Sequence, residues 1–559
     1  MLIQIKISLF KMSLTDSCPN SPNSAVISNE KSKRYDRQLR LWGDHGQAAL
    51  ELSHVCLINA TALGTEILKS LVQPGIGGFT IIDWESVTEE DVGNNFFLTV
   101  DQIGQNRGQA ATNLILELNP DVNGKCIDEQ LTSILASPDA SGMFKRFNIV
   151  IANGLNEKLL SQLSSYLWDL SIPLIICRSY GLVGHIRIQI KEHCVIESHP
   201  DSSLDDLRLD RPFPGLVKYM NEQNIETMDK ATFTHTPQLV FLYKALERWR
   251  QDKGDGLPMS RMEKAEFKAN LEESLRKKLS SYSNGEYSDA ENIDECLKAV
   301  NTALVPTKIP SNIVELFSDE ACQKLETPSK FWIMVRALKD FVNKEGMKAL
   351  PVRGSLPDMH SDSERYVSLQ NTYRHQATLD ADAVYKHVLR ILDERGWSHN
   401  LVTEADVRFF SKNAHALRLQ RGTSYAAEIA LKTDVQTLGC LLEDPDSDAV
   451  FYVLLRAADR FETEYGSYPG SLEVDVDVGR LKCVLVRLLS EWGLSSVSIK
   501  DEYIHEFCRY GASEIHSVAA FVGGCAAQEV IKIVTHQYVP VDNTIIYNAM
   551  HQTILSLKM

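Results

Sequence analysis

At 559 residues, with 44% apolar and 24% charged residues, the chain exceeds one ordinary core and has the balance of a folded protein of roughly two to four domains. Its formal charge of −16 excludes a general nucleic-acid binder, which needs clustered Lys and Arg to neutralise phosphate. The 11 cysteines are odd in number and none fall at CxxC spacing, which argues against structural zinc and a disulfide scaffold and for a reducing compartment, cytoplasmic or nuclear.

The first stretch, "MLIQIKISLFKM", is interrupted by Lys6 and lacks a small-residue cleavage site, so it does not read as a signal peptide. Residues 1–33 are polar beyond it and are expected to be disordered. Order is expected from "KRYDRQLRLWGDHGQAALELSHV", where Leu39, Trp42, Ala48, Ala49 and Leu52 make a helical pattern broken by glycines. Then "HVCLINA" reads as a buried strand, "GTEILKSLVQPG" as a helix ended by Pro74-Gly75, and "FTIIDWE" as a second strand. "RGQAATNLILELNPDV" is a helix, "FNIVIAN" a third strand, "LLSQLSSYLWDLS" a helix, and "IPLIICRSYGLVGHIRIQI" two further strands. Strands alternating with helices predict an α/β, Rossmann-like, doubly wound and mostly parallel sheet.

The texture changes after Pro200. Residues 204–493 carry mainly helical spacing, as in "PQLVFLYKALERWRQ" and "SKFWIMVRALKDFVNKEG", and predict a large helical insertion. A strand pattern returns in "SSVSIKDEYIHEFCRYG", followed by the helix "HSVAAFVGGCAAQEVIKIVT" and a closing strand "NTIIYNAM". The α/β domain is thus expected in two pieces, 34–203 and 494–559, around the insertion. No apolar run is read as reaching the roughly 18 residues of a membrane span.

The turn after the first strand is where a nucleotide-binding fold carries its glycines. The first makes the tight turn, the second lets the backbone touch phosphate, and the third lets helix and strand pack. Those positions are Asn59, Thr61 and Gly64. Asn tolerates positive φ and can still make the turn, and Gly64 keeps the packing. Thr61 puts a β-branched side chain where phosphate oxygens come closest, so the loop keeps its shape and loses its cradle. Asp83, 24 residues past Asn59, has the spacing of a ribose-binding carboxylate, or else caps a neighbouring turn.

Several motifs then occur in order: "RYDRQLRLWG", the strand–turn–helix above, "DVGNNFFL", "QIGQNRGQA", "RSYGLVGHIRI", "LPVRGSLPDMHSD", "YVSLQNTYR" and "HSVAAFVGGCAAQEVIK". Together they resemble the ubiquitin-like-protein activating enzymes over nearly all of 34–553, and the long insertion with "LPVRGSLPDM" resembles the neddylation branch. The family pairs an active adenylation half with a degenerate one, and the resemblance places this chain as the degenerate, regulatory half. It implies no cofactor bound by this chain, with ATP and magnesium held by a catalytic partner that adenylates the modifier and takes it as a thioester. It implies as partners that catalytic subunit, the ubiquitin-like modifier and the conjugating enzyme. A phosphate-contacting Arg of the active half corresponds to Asn95, and its Lys to Arg107. Its magnesium-binding Asp has no counterpart between Phe147 and Trp168, so the oxygen site a hard cation needs is incomplete. No match to the thioester cysteine is found. Cys56, Cys177, Cys440, Cys483 and Cys525 lie in apolar runs and are expected in the core, while Cys296 and Cys322 have acidic neighbours that make poor nucleophiles.

The resemblance also implies that Arg37, in "YDRQLRLWG", crosses to the ATP of the partner; otherwise it pairs with Asp36 or Asp44, or makes a plain interface contact. For the partner interface, "GNNFFL" offers Asn94, Asn95, Phe96 and Phe97. "FWIMVRALKDFV" offers Phe331, Trp332, Val335, Arg336, Leu338, Lys339, Phe341 and Val342, either between two bodies or as the central helix of the insertion itself. Phe233 is read as a helix staple or a partner contact. The rival readings are a self-sufficient adenylating enzyme and an adaptor outside catalysis.

Overall fold

The computed structural model describes residues 29–200, 205–254, 256–282, 290–430, 435–471 and 473–559. The expected disordered segment lies outside these up to residue 28, but its end is helical: α1 (Asn29–Arg34) runs almost directly into α2 (Asp36–Glu51). The glycine break is real, since Gly43 sits at φ 66° inside α2 and kinks it.

The sheet begins with β1 (His54–Ile58), α3 (Ala62–Val72), β2 (Gly78–Ile82), α4 (Glu89–Asn94), α5 (Arg107–Leu116) and β3 (Asn123–Ile127). It continues with β4 (Ile149–Asn153), β5 (Leu174–Tyr180) and β6 (Val183–Gln189). A short β7 (His193–Val195) leads into the insertion and β8 (Arg418–Gln420) leaves it; β9 (Thr544–Asn548) and β10 (Thr553–Leu557) come last. The order is β10-β9-β6-β5-β4-β1-β2-β3. Strands β3-β2-β1-β4-β5 are parallel, and β6, β9 and β10 extend the sheet antiparallel. The order reverses between β1 and β4, and the crevice beyond their carboxyl ends is where open α/β sheets place ligands. Apolar side chains cover both faces. On one side α3 and the C-terminal helix His516–Thr535 pack around Leu57, Ile81 and Val522; on the other Cys56, Val150 and Leu163 form a second core.

Three expectations are corrected. "SSVSIKDEYIHEFCRYG" is helical over Asp501–Tyr510, because Ile504, Phe507 and Cys508 share one buried face at helical spacing. The expected insertion boundary at 493 does not follow the packing. The insertion opens and closes at the β7–β8 ribbon, where His193 pairs with Gln420 and Val195 with Arg418. The helices after it, such as Ala449–Tyr465, pack on the sheet through Tyr180, Val183 and Ile546. Within the insertion, two helical cores form, one around Phe241 and Tyr373 and one around Leu338 and Phe410. Finally, the helix His516–Thr535 is apolar enough over 20 residues to cross a membrane by composition, yet 61% of its apolar window is buried inside the molecule.

Candidate functional site

The site is built at the carboxyl ends of β1 and β4. Asn59 leaves β1 at φ 67°, which turns the chain into α3, and its side-chain amide donates to the Asn153 carbonyl at 2.9 Å. Gly64 has no room for a side chain: a Cβ there would lie 2.6 Å from the Asn59 carbonyl oxygen and 3.2 Å from Leu57. Thr61 is the cap residue of α3, in extended conformation, but its side chain does not cap the helix.

A carboxylate takes the place expected of phosphate. Leu63 N–H, in the first turn of α3, donates to Glu514 Oε2 at 3.2 Å, and the Thr61 hydroxyl donates to Glu514 Oε1 at 3.0 Å. The Asn153 amide in turn donates to the Thr61 hydroxyl oxygen. A helix N-terminus attracts anions through its unpaired N–H groups and its dipole, so Glu514 sits where an anion is favoured. Burial raises its pKa, and the bonds from Leu63 and Thr61 work the other way.

The other inherited positions are also engaged within the fold, Asp83 with Arg107 and Asn95 with its neighbours. Asp83 is wholly buried; its oxygens accept from Ala60 N–H at 2.8 Å and Glu85 N–H at 3.0 Å. Arg107 clasps it through Nε–Oδ2 at 2.8 Å and Nη2–Oδ1 at 3.2 Å, and reaches Asp91 at 3.3 Å. Burial opposes the Arg107 charge, but Asp83 and Asp91 more than offset this and its pKa is raised. The acidic stretch "EEDV" thus spends Asp91 on Arg107 and on a capping box with Thr88. Asn95 is buried: its oxygen accepts from Thr65 at 2.9 Å and Phe97 N–H at 3.0 Å, and its amide donates to the Ala60 carbonyl at 3.1 Å. The fold therefore brings Asn59, Thr61, Gly64, Asp83, Asn95 and Arg107 together. It adds Glu514 and Asn153, which the sequence reading did not single out. Asn153 ends the recognisable strand "FNIVIAN"; Glu514 lies 453 residues from Thr61 and carries no local signal.

Arg37 lies apart, exposed on the first turn of α2. Asp36 pairs instead with Arg40 at 3.0 Å, and among the described residues no carboxylate engages Arg37. Phe96 is 74% exposed, with Val100 at 72% and Ile103 at 42% beside it in sequence. Asn94 is half-buried, and its carbonyl lies 3.2 Å from His516 Nδ1.

Most of the other interface expectations are corrected. Asn95 and Phe97 are buried, as is Phe233, which packs inside the first helical core 5.2 Å from the Phe241 ring. Phe331, Trp332, Val335, Leu338, Phe341 and Val342 fill the second helical core of this chain, so their apolar surface is already covered. Arg336 and Lys339 on that helix are bound to backbone carbonyls of Gln323 and Phe317, at 3.1 and 2.8 Å. Of the cysteines expected in the core, Cys56 and Cys177 are buried and Cys525 is half-buried, but Cys440 and Cys483 are exposed. Burial, more than acidic neighbours, raises the thiols of Cys296 and Cys322, the latter to about 11. Among the described residues no cluster of three or more His, Cys, Asp or Glu is arranged to hold a metal ion.

A Rossmann-like sheet with this switch-point loop defines an adenylation-type fold, and the ThiF family model matches residues 35–559: the chain belongs to the ThiF family. Within it the chain is 48% identical to the NEDD8-activating enzyme E1 regulatory subunit of Gallus gallus, over 95% of this chain and 98% of that one. It is 47% identical to the protein of the same name in Danio rerio, over 95% of this chain and 99% of that one. The Drosophila melanogaster protein of that name is 43% identical, over 96% and 99% of the two chains.

Proposed function

We propose that this chain is the regulatory subunit of a heterodimeric activating enzyme for NEDD8, that it holds no nucleotide of its own, and that a catalytic partner binds ATP and magnesium. The relatives' shared name, over nearly the whole length of both chains, supports the regulatory role. The observation that carries the non-catalytic reading is Glu514. Its carboxylate takes the α3 N-terminus, Arg107 clasps Asp83, and Asn95 is bonded to Thr65 and the Ala60 carbonyl beside the loop. A nucleotide phosphate would have to displace an anion already hydrogen-bonded there, and a ribose would have to displace Arg107 from Asp83. The residues present do not fit a nucleotide.

What remains free is aimed outward. Arg37 is exposed and unpaired among the described residues, which suits a guanidinium that meets charge on another chain. The exposed Phe96, Val100 and Ile103 suit a partner-covered surface. NEDD8 and the conjugating enzyme would then engage the assembled pair, in the cytoplasm or nucleus.

The test is ATP–pyrophosphate exchange with NEDD8. The isolated chain is expected to give none and the assembled pair to give full exchange. Arg37→Ala is expected to slow the pair roughly tenfold to a hundredfold, as for loss of one charge-assisted contact to the nucleotide. Exchange by the isolated chain would favour the self-sufficient enzyme, and failure to assemble with an adenylating partner would favour the adaptor.

A further inference from the structure

A cleft of about 370 Å³ opens inside the insertion, away from the switch point, where its two helical cores meet. One wall is the connection between helix Glu291–Ala303 and helix Ser311–Ser318; the other carries Arg353, His415 and Arg418. The first wall is fixed in place, because Asp210 accepts from both Thr307 N–H at 2.8 Å and the Thr307 hydroxyl at 2.6 Å.

The charge of this cleft is opposite to that of the chain. Four cations, Arg208, Lys308, Arg353 and Arg418, line it against two carboxylates, Asp205 and Asp206. Arg208 is already satisfied: it clasps Asp206 at 2.6 and 3.1 Å and donates to the Leu350 carbonyl at 2.6 Å. Among the described residues the side chains of Lys308 and Arg353 engage no carboxylate, and the Arg418 guanidinium donates only to the Leu417 carbonyl at 2.9 Å. Burial disfavours the Arg353 charge, with Asp206 and Asp205 opposing that effect. The His415 imidazole is pushed down to about 4, by burial first and then by Arg353, and its Nδ1 is buried without a partner. Among the described residues the cations of this cleft outnumber its two carboxylates, one of which is already clasped by Arg208; an excess of partly buried positive charge is costly, and a bound anion relieves that cost.

We infer that this cleft binds a compact polyanion, a small phosphorylated or polycarboxylate molecule, through Arg353, Arg418 and Lys308, with the unpartnered Nδ1 of His415 as an additional hydrogen-bonding atom. The volume falls within the roughly 300–1,000 Å³ of small-molecule sites, and Leu207, Val305 and Pro306 supply apolar wall for a carbon body. This site is independent of the nucleotide question, so neither reading depends on the other.

Isothermal titration of inorganic pyrophosphate, and separately of citrate, into the full chain tests it. Binding of either is expected at physiological ionic strength, and the stronger of the two identifies the phosphorylated or the carboxylate class. Arg353→Gln with Arg418→Gln should weaken that binding roughly a hundredfold, about tenfold for each guanidinium. Lys308→Gln, at an exposed position that cannot unfold the chain, should weaken it severalfold, and Arg509→Gln, on a distant helix, should leave it unchanged. No heat with either anion, or binding unaltered by the Lys308 and double variants, overturns the inference.

Discussion

The Thr61 hydroxyl receives a hydrogen bond from Asn153 and passes one to Glu514, so the β-branched residue at the turn also ties a carboxylate to the start of α3. Burial raises the Glu514 pKa in the fold above its ordinary 4.5, so the folded protein holds that proton more tightly than the unfolded chain. Stability relative to a Glu514→Gln variant is therefore greatest below this window and falls as pH rises through the raised value. Urea midpoints of the two proteins measured from about pH 4 to 7 should diverge in that direction; a constant difference contradicts it. Gly64→Ala should cost about 1–3 kcal/mol by denaturant unfolding, since the new methyl meets the Asn59 carbonyl at 2.6 Å. Asn59 and Gly64 were legible in the sequence because their roles are local, set by a backbone angle and by one strand–helix contact. Glu514 was not, because nothing near "GASEIH" tells that its carboxylate meets a helix end encoded 453 residues earlier.

Among the elements, the helix Lys330–Lys344 and the exposed aromatic after α4 separate two kinds of apolar residue. Phe341→Ala should cost about 3–5 kcal/mol of stability and leave partner affinity per folded molecule unchanged, because Phe341 lies inside the second helical core. Phe96→Asp should leave the melting temperature unchanged and weaken assembly with the catalytic subunit, read by analytical ultracentrifugation. Helical periodicity alone could not decide this, since a helix apolar on several sides looks the same whether its second face meets its own chain or another. The edge strand β3, "NGKCI", went unread for the complementary reason: it is half exposed and polar, so it lacks the buried-strand pattern. Asp501–Tyr510 was misread because "SIKDEYIHEF" alternates well enough to imitate a strand, and only the shared burial of Ile504, Phe507 and Cys508 reveals the helical face. The doubly wound sheet itself was legible, because β1, β2, β4 and β5 are continuous apolar runs separated by amphipathic helices.

At the scale of the molecule, the described residues divide the apolar interior into five clusters, two of them confined to the insertion and joined to the sheet by the β7–β8 ribbon. Urea unfolding should accordingly proceed in more than one step, with amide hydrogen exchange around Trp249 and Trp332 in the insertion showing a midpoint distinct from that of strands β1, β4 and β5; coincident midpoints contradict this. The order of the strands carries a further consequence, for the growing chain on the ribosome. The last 45 or so residues supply the helix His516–Thr535, which covers α3, together with β9, β10 and the Glu514 carboxylate. At a synthesis rate of about 5–20 residues per second, α3 waits roughly 20–90 s after Thr61 emerges before the partner 453 residues downstream exists. Throughout that interval its apolar face and unsatisfied N-terminus are exposed, and the cell must shield them, so a chain halted before residue 510 is expected to be held by chaperones or lost to aggregation.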